Sequence, residues 1–222
     1  ISISKFMENM LANHSEVRKS RIYTIYNTVD PDLFTPSQSN HSNNNAGDNR
    51  LLYVGSLNPQ KGIIPCLKAI ALCHQQGLQF KLDIVGKGQQ YSDAKNYVDQ
   101  VNISDLVNFH GHINHRSVRN LYEHASLVVF PSVWPEPFGR ISIEAMASRT
   151  PIVASSAGAI PEVVEDWGGS VIIDPYNTTE FAEAISHQLS QYNSLGNSPP
   201  SIDDKFNYQR AAKLHEKKYK NE

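Results

Sequence analysis

From Arg50 to about Gln191 the chain alternates short apolar runs with longer amphipathic stretches. RLLYVGS (50–56) is such a run and predicts a buried strand. FKLDIVG (80–86), LVNFHGH (106–112), LVVFPS (127–132), PIVAS (151–155) and SVIID (170–174) predict five more. Between them, apolar positions at helical spacing predict helices over 63–76, 89–101, 117–124 and 139–148. Pro65 is tolerable in the first turn of its helix, and Gly77 ends it. A helical turn is predicted over 161–166 and a helix over 178–191. Strands alternating with helices predict a parallel sheet covered on both faces, and near-continuous apolar strands fit burial on both sides. The fold class is therefore α/β, a doubly wound, Rossmann-like parallel sheet over about 50–195.

The flanks read differently. Phe6, Met7, Met10 and Leu11 predict a short amphipathic helix over 4–13, and RIYTIY (21–26) alternates like a strand. SQSNHSNNNAGDN (37–49) has almost nothing to bury and reads as a linker or exposed loop. A loop over 195–201 leads to a last predicted helix, about 203–219.

Composition narrows the function classes. Of 222 residues, 40% are hydrophobic and 9% aromatic, which excludes a wholly disordered chain. Lys and Arg number 20 against 22 Asp and Glu, a net charge of −2, so a nucleic-acid coat protein is not expected. No apolar run approaches the roughly 20 residues that span a bilayer. Cys66 and Cys73 fall on one face of one predicted helix and read as core thiols, without zinc-ligand spacing. His110, His112 and His115 cluster at a strand end and turn with no carboxylate beside them, so no metal is expected there. A reducing, cytoplasmic compartment is the default expectation, with no signal peptide visible.

Ligands of such sheets bind outside the carboxyl ends of the strands. Glycines and polar residues concentrate on that rim: Gly55, Ser56 and Lys61 after the first strand, Gly86 and Lys87 after the second, and Gly111, His112 and Ile113 after the third. The fourth loop, PSVWPEPFG, is stiffened by Pro131, Pro135 and Pro137 and opens a helix at Gly139. The amides of Phe138, Gly139, Arg140 and Ile141 stand at a helix N-terminus, a ready anion site, and Lys61 adds a full positive charge. Together they suit a phosphate or diphosphate. Glu144 sits on that helix among Ile141, Ile143, Ala145, Met146 and Ala147, so its carboxylate needs a partner: sugar hydroxyls, or an Arg such as Arg149. Glu136 lies eight residues earlier, and the two carboxylates flank the turn. Gly86-Lys87-Gly88 lacks the third glycine of a dinucleotide fingerprint, with Tyr91 in its place. Asp30-Pro31-Asp32 reads as turn chemistry.

LLYVGSLNPQKG, LDIVGKGQQ, VNFHGHI, VVFPSVWPEPFGRISIEAMA, PIVASSAGAIPEVV and GGSVIIDP resemble, in order, the retaining GT-B glycosyltransferases of family 4, also called group 1 glycosyl transferases. The resemblance covers about 20–220, and Glu136 and Glu144 fit the family's E-x7-E motif. It implies that Glu144 binds the donor ribose and Glu136 the transferred sugar, that the amides at 138–141 receive sugar and diphosphate, and that Lys61 neutralises the leaving diphosphate. Glu136 and Lys61 are then the catalytic pair. Gly86 and the Gly111–Ile113 turn flank the base. The resemblance further implies a nucleotide-diphosphate sugar as donor substrate, no cofactor and no metal. Ser56 stands where the family often has Arg, and Arg140 is a candidate replacement for that charge. Asn27-Thr28-Val29-Asp30 resembles the family's N-G-V-D hinge without its Gly, and Ala157–Glu162 resembles G-G-x-P-E with Ala157 for the first Gly.

A GT-B enzyme places its active site between two Rossmann-like domains. The expected organisation is thus an acceptor-domain remnant (1–26), a hinge or linker (27–49), the donor-binding domain (50–195) and a C-terminal helix (196–222) packing toward the other domain. Acceptor binding, and any peripheral membrane association, are expected from that other domain. Two alternatives stay open: a nucleotide-sugar binding module inactive alone, and another GT-B enzyme such as a sugar-nucleotide epimerase. Sugar, nucleotide and acceptor are not readable.

Overall fold

The structure, a computed structural model, describes residues 1–14, 22–30, 34, 49–165, 167, 168, 170–195, 202 and 204–219. Six strands form one sheet: β1 (Arg50–Val54), β2 (Lys81–Val85), β3 (Val107–Gly111), β4 (Leu127–Phe130), β5 (Ile152–Ser155) and β6 (Ser170–Ile173). Every pairing is parallel, in the order β3-β2-β1-β4-β5-β6. The order reverses between β1 and β4, where Leu51, Leu52 and Tyr53 pair with Leu127, Val128 and Val129. That reversal opens a crevice at the carboxyl ends of the two strands, where doubly wound sheets bind ligands.

Eight α-helices complete the described residues. They are α1 (Lys5–Ala12), α2 (Ile63–Gln75), α3 (Tyr91–Gln100), α4 (His115–His124), α5 (Arg140–Ala147), α6 (Ile160–Val164), α7 (Thr178–Leu195) and α8 (Tyr208–Tyr219). Successive strand residues point to opposite faces, so Leu51 and Leu52 enter different cores. One core joins Leu51, Tyr53, Leu82 and Ile84 to α2, α3 and α7. The other joins Leu52, Val128 and Phe130 to α4, α5 and α6. Cys66 and Cys73 are buried in the first core as free thiols.

The flanks depart from the sequence reading at one element. Arg21 lies outside the described residues, and 22–26 makes only an isolated parallel bridge, Ser2 to Thr24. The alternation of RIYTIY asks for a ladder, but its neighbour Ser2 is followed by the Ser4 cap of α1, so the pairing stops after two bonds (Ser2 N–H to Tyr23 O, 2.7 Å; Ile25 N–H to Ser2 O, 2.8 Å). Most of the Asn/Ser-rich segment 37–49 lies outside the described residues, as do Pro31 and Asp32. Within the expected hinge, Val29 and Phe34 are buried in the second core, and the Phe34 ring meets Tyr122 edge-on at 5.8 Å. At the other end Phe206 is buried, while Tyr208 and Leu214 of α8 are exposed. Among the described residues, no helix is long and apolar enough to cross a membrane.

Candidate functional site

The loops after β1, β2 and β3 are stitched by their own backbone. Gly55 N–H donates to Val85 O (2.9 Å), Leu57 N–H to Lys87 O (3.0 Å) and Gly86 N–H to Gly111 O (2.8 Å). These bonds bring Gly55, Ser56, Gly86, Lys87 and Gly111 onto one rim. His112 and Ile113 continue it into the cap of α4, where Asn114 Oδ1 accepts the Ser117 N–H at 2.9 Å.

The loop after β1 is also fastened to the loop after β4. Gln60 O accepts from Val133 N–H (2.9 Å) and Trp134 N–H (3.2 Å). Gly62 makes the approach possible: at φ 70°, a Cβ there would stand 1.9 Å from Pro131 O. Lys61, between these two anchor points, therefore arrives beside Glu136, with Nζ 2.5 Å from Oε1. The Ser132 hydroxyl donates to the same oxygen at 2.6 Å. Glu136 is only 7% exposed, so both bonds offset the cost of burying its charge. Its backbone pairs with Gly158 across the β5 loop, and Ala159 N–H donates to Glu136 O at 2.8 Å.

A cleft of about 340 Å³ opens at this point. Its walls include Gly55, Lys61, Glu136, Phe138, Gly139, Arg140 and Ile141, seven of the residues singled out from the sequence. Ile3 and Asn27 of the leading segment complete one side. Gly139 precedes α5 in the left-handed conformation (φ 90°) and offers no side-chain acceptor, so the first amides of α5 are donors without an intrahelical partner. They sit in the same cleft as the Lys61 ammonium. Helix amides, an ammonium and the carboxylate paired with it thus share one cleft, and a helix N-terminus beside a cation is chemistry that can receive an anion.

Ser56, Gly86, Lys87, Gly111, His112 and Ile113 do not line the cleft but form the adjoining rim. Glu144 lies one turn into α5, where Oε2 accepts the Tyr122 hydroxyl at 3.0 Å and Oε1 is 3.9 Å from an Arg140 nitrogen. The partners of Glu144 are thus a tyrosine of α4 and, more distantly, the arginine that opens its own helix, rather than Arg149. Burial raises the Glu144 carboxyl above its ordinary value, against the lowering effect of the Tyr122 bond and of the charges on Arg140 and His115. Burial and the Glu144 carboxylate push Tyr122 well up in turn.

The histidine cluster needs one correction. His110 does have a carboxylate beside it: Asp83 Oδ1 is 2.6 Å from His110 Nε2. Asp83 is on β2, opposite Asn108 of β3, and a cross-strand neighbour is invisible in a linear reading. Among the described residues, no group of three or more His, Cys, Asp or Glu stands together to hold a metal. Sequence reasoning passed over Ser132 and Tyr122, and named Glu162 only as the end of the stretch that resembles G-G-x-P-E. Ser132 offered a weak signal, four residues before Glu136 in a loop already singled out, whereas Tyr122 reads as one more core aromatic.

Comparison with known proteins finds relatives over most of the chain. An uncharacterized glycosyltransferase of Methanocaldococcus jannaschii is 27% identical over 225 residues, covering 96% of this chain and 57% of the relative. A D-inositol 3-phosphate glycosyltransferase of Mycolicibacterium smegmatis is 30% identical over 178 residues, 78% of this chain and 41% of the relative. Sucrose-phosphate synthase from Thermosynechococcus elongatus has a TM-score of 0.76 at 27% identity, over 99% of this chain and 57% of that one. Anabaena HepE, solved in complex with UDP and glucose, shares the fold with a TM-score of 0.75 at 23% identity, over 96% of this chain and 62% of that one. The chain spans about half the length of the curated relatives it matches. The family model for glycosyl transferases group 1 matches residues 34–197, and the chain belongs to that family.

Proposed function

We propose that this chain is the donor-binding part of a retaining, metal-independent glycosyltransferase of family 4 that moves a sugar from a nucleotide-diphosphate sugar to an acceptor. The observation that carries the reading is the single cleft shared by Lys61, the Glu136 carboxylate and the first amides of α5. Preorganised cations and helix amides stabilise charge that develops on a leaving diphosphate, and that electrostatic work requires no metal or other cofactor here. Lys61 and the amides at 138–141 hold the diphosphate, and Arg140 adds a second cation at the mouth. Glu136 accepts hydroxyls of the transferred sugar. Glu144, with one oxygen on Tyr122, turns the other toward the ribose. Gly86, Lys87 and the Gly111–Ile113 turn flank the base. UDP-sugars are the first donors to test, because Anabaena HepE is solved with UDP-glucose and with UDP and glucose.

In this reading 50–195 is the donor domain, 27–49 the hinge, and 1–26 and 196–222 are segments that meet an acceptor-binding domain. That second domain selects the glycan, lipid or small-molecule acceptor and carries any peripheral attachment to a membrane of a cytoplasmic enzyme. The test is calorimetric titration of the chain with UDP, GDP, ADP and their sugars. Binding of one nucleotide, tightened by its sugar, is expected. No binding by any of them overturns the donor-site assignment.

A further inference from the structure

A carboxylate that does not line the cleft holds the site from behind. Glu162 lies in the first turn of α6, and both its oxygens are taken by the leading segment. Oε1 accepts the Lys5 N–H at 2.5 Å, and Oε2 accepts the Phe6 N–H at 2.9 Å. These are the first two amides of α1, which have no acceptor within the helix, and the helix dipole favours a negative charge there. The Met7 N–H is taken by Ser4 Oγ at 3.1 Å, and that same hydroxyl donates to Pro137 O at 2.6 Å.

Two consecutive carbonyls of the loop after β4 are thereby fixed from two sides. Glu136 O receives the Ala159 N–H, in the turn that leads into α6. Pro137 O receives the Ser4 hydroxyl, at the cap of α1. Glu162 is the side chain that joins those two supports. It also lies beside the Tyr26 phenol: burial first, then the hydrogen bond and charge of Glu162 and the charge of Glu8, push that phenol up to about 12. The Tyr26 ring packs 6.3 Å from Phe138, between Pro137 and the start of α5.

We propose that Glu162 is a positioning residue for the candidate site: by fastening α1 to α6 it fixes the Glu136 and Pro137 carbonyls, and so places the Glu136 carboxylate and the α5 amides. Its effect on ligand binding rests on the donor-site reading above; the latch itself does not.

Hydrogen exchange read by mass spectrometry on the 222-residue chain tests it, comparing wild type, Glu162→Gln and Ser4→Ala. Gln keeps the shape but turns an amide NH2 toward one of the two α1 donors. Glu162→Gln is expected to speed exchange over 5–7 and over 158–160, where Ala159 N–H donates to Glu136 O, by roughly tenfold, with α2 and α7 on the other face of the sheet unchanged. The Tyr26 phenol should then ionise at lower pH, a change of one tyrosine among ten. Ser4→Ala leaves the Glu162 side chain in place and should still speed exchange over 158–160. UDP affinity, measured in parallel, should fall by roughly tenfold in Glu162→Gln. Absence of binding of UDP, GDP and ADP by wild type defeats the donor reading, while the exchange data still judge the latch. Unchanged exchange over 158–160 in Glu162→Gln overturns the proposal, as does equal loosening of α2 and α7. Should Glu162→Gln fail to fold, unchanged exchange over 158–160 in Ser4→Ala overturns it instead.

Discussion

Lys61 Nζ lies 2.5 Å from Glu136 Oε1, so two groups assigned by sequence to different parts of one ligand are each other's partner. In the proposed function, a diphosphate arriving at Lys61 would compete with that carboxylate. The pair is therefore both a structural contact and a point of exchange, and its two halves have different consequences when removed.

If the proposed function holds, Lys61→Ala removes a charge-assisted bond to the diphosphate, worth about 1.5–3 kcal/mol, or roughly 10–100-fold in Kd. It also leaves the buried Glu136 carboxylate with Ser132 alone, a cost of about 1–3 kcal/mol in stability. Calorimetry with UDP and a denaturant melt read the two effects separately. Wild-type UDP affinity in Lys61→Ala removes Lys61 from the site. In the complete enzyme the same variant should nearly abolish transfer.

Glu136→Gln acts in the opposite direction on the nucleotide. It frees Lys61 from its competitor, so bare UDP should bind roughly tenfold tighter. The advantage of a UDP-sugar over UDP should shrink, because Gln offers the sugar hydroxyls one acceptor oxygen where the carboxylate offers two. If that advantage persists unchanged, Glu136 does not hold the sugar.

Glu144 makes a prediction about pH. Its folded-state carboxyl is raised above the ordinary value, chiefly by burial, so the folded chain holds that proton more firmly than the unfolded chain does. The resulting penalty is full above the raised value and disappears as pH falls to the ordinary carboxylate value. Glu144→Gln carries no such penalty, so the stability of that variant relative to wild type should decline as pH falls through that window. Urea midpoints measured across the window check this, and a difference independent of pH refutes it. Tyr122→Phe deletes a bond that lowers the Glu144 value, and should enlarge the wild-type penalty at neutral pH.

Gly158→Ala tests how the fourth and fifth loops meet. At φ 65°, a Cβ there would stand 2.4 Å from the backbone N and O of Glu136. The loops must separate, at a cost of about 1–3 kcal/mol or more, and Glu136 must move. Loss of UDP-sugar preference together with a lowered melting temperature is the expected pair of changes. Undisturbed stability would show that the two loops do not touch.

Cys66 and Cys73 should be silent toward thiol reagents until the chain unfolds. Burial raises both thiols, Cys73 to about 11, and so removes the reactive thiolate at neutral pH. Rapid labelling of the native chain would contradict the packing of α2.

The sheet was legible because its strands are buried on both faces and its helices are bounded by Gly, Pro or polar turns. Each of the six predicted strands from 50 to 174 has its counterpart within a few residues. The prediction for α7 stops short of its observed end at Leu195, because the apolar period fades in QYNSL. The stretch 21–26 misled because alternation reports a tendency to pair, not the presence of a partner. The site was legible in its loops, where prolines and a helix-opening glycine mark local geometry. Its cross-chain contacts were not. Lys61 meets Glu136 where Gln60 O gathers Val133 and Trp134 and Gly62 lets Pro131 approach, and Glu162 meets α1 across 157 positions of sequence. Nothing local to either residue encodes those distances.

Phe138 is gripped by two rings from opposite extremities of the sequence, Tyr26 at 6.3 Å and Phe206 at 5.9 Å, which also meet each other at 5.7 Å. Both rings fall outside the stretch 34–197 that matches the family model. The unit of descent and the unit of mechanical integrity are therefore not the same length of chain. A protein trimmed to the homologous stretch loses Ile3 and Asn27 from the wall of the cleft and, with Tyr26 and Phe206, the aromatic backing of its central loop. Expression boundaries for this domain are best drawn around the three rings, not around the homology.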